Sequence, residues 1–471
     1  MPAENEVARR GELTRAGAVT ETQICANVTS SYSFNEHDIR STVHSLGWDQ
    51  GFTIDSLLYS FKMLNSLPSL LLLPPPPSPI NSALLSAAYR PSITATVSAL
   101  KGLDTSTQLI VILPCPSLHG RLHEPRSYIY DEVQMLVGGL YSLICAVCAK
   151  IGIDVESDLP GSIDARILLL DYDSSQAVSP DQSSTLANYV SGPIIDLPTL
   201  AITRRRWNTI FSVDGEDGQK LLSNYLDLAN RISPPLQVHF KSVSGGVSMI
   251  RKDAIARPPT TTSKVHHVVI IGGTFDNIHA GHKLLLTAMA LLLQPVSNAS
   301  DSPRRLIVGI TGDELLKNKQ YAEYLKSWKQ RQDDVVEFLL SVLLFTRSRP
   351  EEEIHTLSFN EPVPNGKAIH THLKSCLITI ECVEIQDPFG PTITDESVTA
   401  LVVSGETRSG GKAVNDKRVE KGWNPLEVFE IDVLDAGDSG ETATKIDDFA
   451  SKISSTAIRK RKADNARTSS L

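Results

Sequence analysis

Residues 271–282 read IGGTFDNIHAGH. The apolar run Val268–Ile271 leads into them and has the texture of a buried strand. Residues 272–280 then read as a loop, and GHKLLLTAMALLL (281–293) as a helix. Strand, glycine turn and helix form one unit of a parallel α/β sheet, where ligands sit beyond the carboxyl ends of the strands. Gly272 and Gly273 allow a sharp turn and a close backbone approach. The amides of Gly273, Thr274 and Phe275 can then face an anion. The helix start near Gly281 adds unpaired N–H groups and a positive dipole end. His279 and His282, three apart, can point the same way, and a neighbouring anion should raise their pKa values. Two such donors and a helix N-terminus would clamp a phosphoryl group that gains charge during a displacement. Two other readings stay open: a metal pair, with no third ligand nearby in sequence, and a pair of capping histidines. A dinucleotide fingerprint is excluded, since GxGxxG is absent.

Downstream, strand and helix alternate. RLIVGIT (305–311), CLITIECVEI (376–385), ALVVS (400–404) and LEVFEIDVL (426–434) read as strands. Gln330–Thr346 carries helical periodicity, residues 348–372 read as a loop, and ISSTAIRKRK (453–462) opens a last helix with a Ser-Ser-Thr cap. Upstream, TQLIVILP (107–114), the apolar helix Met135–Ala149 and ARILLLDYD (165–173) suggest a second parallel unit without a phosphate loop. SLLLLPPPPSP ends in a proline run that reads as a stiff exposed connector, and TRRRW (203–207) as a solvated basic face. The organisation is therefore α/β: a Rossmann-like domain with a parallel sheet over 265–465, preceded by a separate N-terminal α/β region over 46–245. A polar, disorder-prone segment (1–45), a linker (246–264) and a tail (466–471) complete it.

The 471 residues are 41% hydrophobic and 21% charged, with net charge −9. That is a soluble globular composition, and its acidity argues against a nucleic-acid partner. Six cysteines at 25, 115, 145, 148, 376 and 382 form no disulfide framework and point to a reducing, cytoplasmic compartment. Cys145 and Cys148 sit inside MLVGGLYSLICAVCA and read as core residues. Met135–Ala149 is shorter than the ~20 residues a membrane span needs. MPAENEVARRGELTRAG fits neither a signal nor a transit peptide. The basic RKRKADNARTSSL (459–471) reads as a frayed helix end, with a nuclear address as the alternative.

IGGTFDNIHAGH resembles the nucleotidylyltransferase signature G-x-F-D-x-x-H-x-G-H, and ISSTAIR (453–459) resembles the second signature I-S-S-T-x-I-R. With IQDPFGPTITD (385–395), ALVVSGET (400–407) and NDKRVEKGWNPLEVFEIDVL (415–434), the stretch 265–465 is most similar to the phosphopantetheine adenylyltransferase family of the eukaryotic and archaeal type. It looks like the adenylyltransferase half of bifunctional CoA synthase. The resemblance implies attack of 4′-phosphopantetheine on the α-phosphate of ATP. Dephospho-CoA and pyrophosphate would form without a covalent intermediate, assisted by Mg²⁺ that the protein itself does not ligate. His282 would meet the α-phosphate and His279 the ATP phosphates. Gly273, Thr274, Phe275 and Gly281 would line the nucleotide, and Thr274 also the acceptor phosphate. Ser454, Ser455 and Thr456, with Arg459, would hold the β- and γ-phosphates, and Glu406 and Thr407 the adenosine. Lys317 or Lys319 would be the phosphate-binding lysine, with Lys317 preferred. Relatives carry Tyr-Arg-Gly-Gly after Val-Ser-x-Glu-Thr. Here ETRSGG (406–411) puts Arg408 one position early. No GxxxxGK[ST] occurs, so the chain is expected to stop at dephospho-CoA. Other enzymes of the coenzyme A route are implied partners. The rival readings are a nucleotidylyltransferase acting on nicotinamide mononucleotide or a phospho-alcohol, and a non-catalytic scaffold of the same route.

Overall fold

In a computed structural model of the chain, residues 67–102, 105–121, 124–155, 161–175, 191–204, 206–247, 264–297, 301–363, 366–431 and 454–469 are described. The polar N-terminal segment 1–45 and most of the linker 246–264 lie outside them.

The first sheet is built from β1 (Ser69–Leu72), β2 (Thr107–Pro114), β3 (Ile163–Asp171), β4 (Ile194–Asp196), β5 (Thr209–Val213) and β6 (His239–Val243). All pair in parallel, in the order β4-β3-β2-β1-β5-β6. Helices α1 (Ser82–Leu100), α2 (Tyr130–Ile151), α3 (Leu197–Thr203) and α4 (Glu216–Ala229) make the crossovers. The strands between β1 and β4 are near-continuous apolar runs because both faces are covered.

Three sequence expectations change here. SLLLL is a central strand, and the prolines after it are partly core: Pro75 and Pro77 are buried, and the Pro74 carbonyl accepts from the Tyr89 hydroxyl at 3.0 Å. Arg204 of the basic cluster donates from one Nη to the carbonyls of Ser341 and Leu344, at 2.9 and 3.0 Å, and lies over the Phe345 ring. Arg205 lies outside the described residues. Helix α2 runs from Tyr130 to Ile151, past both ends of the apolar run, so length and composition alone would let it cross a membrane. It is instead packed along α1 on one side and the second region on the other, with Cys145 and Cys148 buried and their thiols pushed up to about 12 by burial.

The second sheet holds β7 (Val268–Gly273), β8 (Arg304–Thr311), β9 (Ile354–Val363), β10 (Gly366–Leu373), β11 (Ile378–Ile385), β12 (Ala400–Ser404) and β13 (Glu427–Ile431). The order is β13-β12-β7-β8-β11-β10-β9. The first five in that row are parallel, and β10 and β9 are antiparallel. Its helices are α5 (Ala280–Leu292), α6 (Trp328–Leu343), α7 (Pro350–Glu353), α8 (Arg408–Glu420) and α9 (Ser455–Ser469). The segment expected as a loop, 348–372, is mostly the β9–β10 hairpin. It escaped the sequence reading because exposed apolar residues such as Leu357 and Phe359 blur the alternation of an edge strand. Helix α9 continues to Ser469, so the basic tail is helical rather than frayed: Ile458 and Ala463 face inward, and Arg461 pairs with Asp154.

The chain enters this sheet at β7, adds β8 on one side, and later returns to place β12 on the other. The strand order therefore reverses between β7 and β12. A crevice opens at that point, beyond the carboxyl ends. Strand β7 runs on through the two glycines expected in the loop, so the loop after it is 274–279, and the turn after β12 is Gly405–Thr407.

The two sheets share one compact unit, Ser66–Leu471. Helices α2 and α5 pack against each other, and α6 lies against β3. At the seam, the Gly192 amide donates to the Leu343 carbonyl at 3.1 Å, and a Cβ at Gly192 would stand 1.7 Å from the Val342 carbonyl oxygen. Gly192→Ala must force the seam apart and is expected to cost about 1–3 kcal/mol, seen as a lower urea midpoint without a change in secondary structure.

Candidate active site

The loop after β7 is not shaped by its glycines. Positive φ falls on Phe275 (53°) and Asn277 (48°), while Gly272 and Gly273 are not in the left-handed region. Such residues persist only where the surroundings hold them. Here three clamps do so. Phe275 is fully buried. Arg331 of α6, also fully buried, donates to the Thr274 carbonyl at 2.7 Å, to the Thr311 carbonyl at 2.7 Å and to Asp313 Oδ1, on the turn after β8, at 2.6 Å. The third clamp is Asp276, 0% exposed between the two strained residues.

Asp276 was not singled out from the sequence, and the site turns on it. Its Oδ1 accepts from the Lys326 amide at 3.1 Å, and its Oδ2 from Arg459 Nη1 at 2.6 Å. Its carbonyl accepts from Ser455 Oγ at 2.8 Å. Arg459, 3% exposed, also donates to the Gln320 carbonyl at 3.0 Å and to Thr456 Oγ1 at 3.2 Å. The first and last motifs are thus joined by one buried ion pair, and the starts of α5 and α9 meet the same loop. The guanidinium is engaged on protein acceptors, which makes Arg459 a strut between the motifs. Ser454 Oγ caps α9 by accepting from the Ala457 amide at 3.3 Å, and Thr456 is exposed.

His279 occupies the N-cap position of α5, yet its side chain makes no capping bond, so the reading as capping histidines falls away for it. The rings of His279 and His282 stack, centroids 3.9 Å apart at 25°. Gly281 lets them do so: a Cβ there would press on the His279 ring at 3.2 Å. Both rings are half-buried, and in each the Nδ1 is closed off without a hydrogen-bond partner among the described residues. The sequence led us to expect raised pKa values beside an anion. In the protein alone burial wins: it pulls His282 down to about 4 although Asp276 and a hydrogen bond to the Asn277 backbone pull the other way, and it holds His279 well below the usual value, helped by His282 and Lys283. The arrangement is a helix start without a side-chain cap beside two neutral imidazoles, a setting that suits an anion.

The other expected residues divide. Gly273 and Thr274 line the loop, and above Gly272 the space is open. Thr407 Oγ1 closes the turn after β12 by bonding Ser404, and the side chain of Glu406 lies outside the described residues. Lys317 is 66% exposed, paired with Glu314 on the turn after β8, and Lys319 is exposed close by. Arg408 is 74% exposed and pairs with Glu430 of β13. Among the described residues, no group of three His, Cys, Asp or Glu side chains forms a metal cluster. The family segments 385–395 and 415–434 meet through Arg418, 1% exposed, whose guanidinium binds the carbonyls of Thr392, Asp395, Glu396, Val398 and Asn424.

A cytidylyltransferase-like family model matches residues 270–461, and a domain of unknown function, DUF8446, matches 61–249. A phosphopantetheine adenylyltransferase of Pyrococcus abyssi is 31% identical over 191 residues, which cover 41% of this chain and 87% of that protein. The chain belongs to the phosphopantetheine adenylyltransferase family. Two fungal proteins of similar likeness are longer than the archaeal one. An uncharacterized protein of Schizosaccharomyces pombe is 36% identical over 192 residues, and the phosphopantetheine adenylyltransferase of Saccharomyces cerevisiae is 33% identical over 194 residues. Each match covers 41% of this chain and about half of the fungal protein (47% and 48%).

Arg459→Ala would leave Asp276 as an uncompensated buried charge and should cost about 3–5 kcal/mol in urea unfolding. Arg459→Lys should recover only part, because an ammonium does not span the acceptors that the guanidinium fork reaches. Acid should weaken the free protein as well. Both histidines have depressed folded pKa values, so below the unfolded value near 6.5 the unfolded chain binds more protons, and stability falls as pH drops toward 4. His282→Gln should flatten the urea midpoint between pH 7 and 5.

Proposed function

We propose that this protein transfers the adenylyl group of ATP to 4′-phosphopantetheine, giving dephospho-CoA and pyrophosphate. The observation that carries the proposal is the stacked pair of imidazoles at the uncapped start of α5, set at the switch point of the second sheet. An oxygen of the acceptor phosphate bonds to the α-phosphorus, and the bond from that phosphorus to the bridging oxygen of pyrophosphate breaks. No protein nucleophile takes part. The rate then depends on orientation and on donors aimed at the charge that builds on the α-phosphate.

In this reading His282 and the first amides of α5 meet the α-phosphate, and His279 the phosphates beyond it. Ser455 and Ser454 already serve the loop and the cap, so the first amides of α9 and the exposed Thr456 hydroxyl are the groups left for the β- and γ-phosphates. The Lys317–Glu314 pair is exposed and weak, which leaves the ammonium available to a phosphate. Thr274 and Gly273 face the acceptor phosphate. Mg²⁺ would arrive on the nucleotide and offset phosphate charge. Asp276, the carboxylate beside the histidines, has both oxygens engaged, which fits an ion held by phosphates and water.

The test is purified protein with MgATP and 4′-phosphopantetheine, with pyrophosphate counted and products resolved by mass. One dephospho-CoA per pyrophosphate supports the proposal. Pyrophosphate released only with nicotinamide mononucleotide or phosphoethanolamine would overturn the acceptor. His282→Ala should lower kcat by ~10²–10³, the scale for one preorganised donor, with a smaller change in KM.

A further inference from the structure

The residue after His282 is a lysine, on an otherwise apolar helix. Lys283 is 2% exposed, and its ammonium ends on Asp164 of β3, in the other sheet. The same carboxylate oxygen takes Nη1 of Arg166. Arg166 Nε donates to Ser341 Oγ of α6 at 3.0 Å, and the guanidinium lies 4.9 Å from the centroid of the Phe338 ring. Asp164 and Arg166 are 4% and 2% exposed. Two residues apart on a strand, they share one face of the first sheet, and that face meets α5 and α6.

Buried ion groups of this kind seldom stabilise a fold over apolar packing of the same volume. A cation in the first turn also opposes the helix dipole. The cluster leaves one net positive charge in a dry environment beside the turn that carries the histidine pair. Burial pushes Asp164 up, but Arg166 and Lys283 more than reverse this; burial lowers Lys283 in turn, against the pull of Asp164.

We infer that Asp164 is a positioning residue for the transfer reaction: acting through Lys283, it fixes the first turn of α5 and offsets the positive potential that His279 and His282 meet. The inference rests on the adenylyl-transfer reading, and it gives the N-terminal sheet a part in that site. His282 is faced by Asp276, which Arg459 of α9 pairs, and by Asn277, whose Oδ1 accepts from Lys462 of α9; His279 is faced by His282 and Lys283. Arg331 of α6 holds Thr274. Glu337 of α6 acts on Arg166, and the protonated Cys145 of α2 faces Lys283. Within this set, Asp164 and Lys283 can be altered without touching the loop.

Asp164→Asn adds one positive charge, so imidazolium is disfavoured and the histidine pKa values fall. Lys283→Met removes one, and they rise. The double variant restores the wild-type net charge. Each single shift should be about one pH unit. The measurement is an imidazole ¹⁵N titration of wild type, both single variants and the double, with kcat and KM followed against pH. The inference expects shifts of opposite sign, return to wild type in the double, and kcat for Asp164→Asn lowered about tenfold at pH 7 with KM little changed. Should Asp164→Asn not fold, Lys283→Met and the double still carry the sign. Arg204→Gln, at the same seam but outside the cluster, should lower the urea midpoint and leave the titration unchanged. Superimposable titrations, or single variants that shift the same way, would overturn the inference. Signed shifts in an enzyme that adenylylates no 4′-phosphopantetheine would sink the proposed reaction and leave the electrostatic link standing.

Discussion

The buried pair of Asp276 and Arg459 holds the rest of the site in place. It joins the turn after β7 to the last described helix, across nearly the whole length of the second region. With 0% and 3% of the two side chains exposed, each charge depends on the other, and neither can be reached by water. Such a pair is a weak source of net stability but a strong source of geometric definition. It forces one position on α9 relative to the loop. That position brings the starts of α5 and α9 to the same crevice.

The same device recurs around the second sheet, with Arg331 at its carboxyl end and Arg418 and Arg305 at its amino end. Arg331 binds the carbonyls of Thr274 and Thr311, and Arg418 gathers five carbonyls of the 392–398 loop and its own turn. Arg305 takes Glu381 and Asp395 together and ties β8 to β11 and to the loop beyond. Loops cannot bond to one another as strands do, so their carbonyls need other donors. A guanidinium supplies five in one plane. Rigid loops at the switch point are what a displacement without a protein nucleophile requires, because its catalysis consists of placement.

The first sheet contributes by pressing on the helix that starts at the site. Helix α2 packs along α5, and β3 sends an acid and a base to Lys283 and Ser341. Nothing in the geometry makes this region an appendage. The histidine pair itself is held neutral by burial.

The sequence by itself determined the class of the second region, its parallel strands and where a candidate site is to be sought. These follow from local signals: apolar runs of strand length, a glycine turn, a helix start, and two motifs whose residues are neighbours in the chain. The helix Trp328–Leu343 and the strands Ala400–Ser404 and Arg304–Thr311 fall close to the expected bounds for that reason. It did not reveal Asp276, whose partner is 183 residues away, nor Lys283, whose partner is 119 residues upstream in another sheet. Nor did it show that the turn strain sits on Phe275 and Asn277 rather than on glycine. Long-range pairing of charges has no period and no spacing. Which acid meets which base, and how far burial drives a histidine from its usual titration, is decided only when packing excludes water from both.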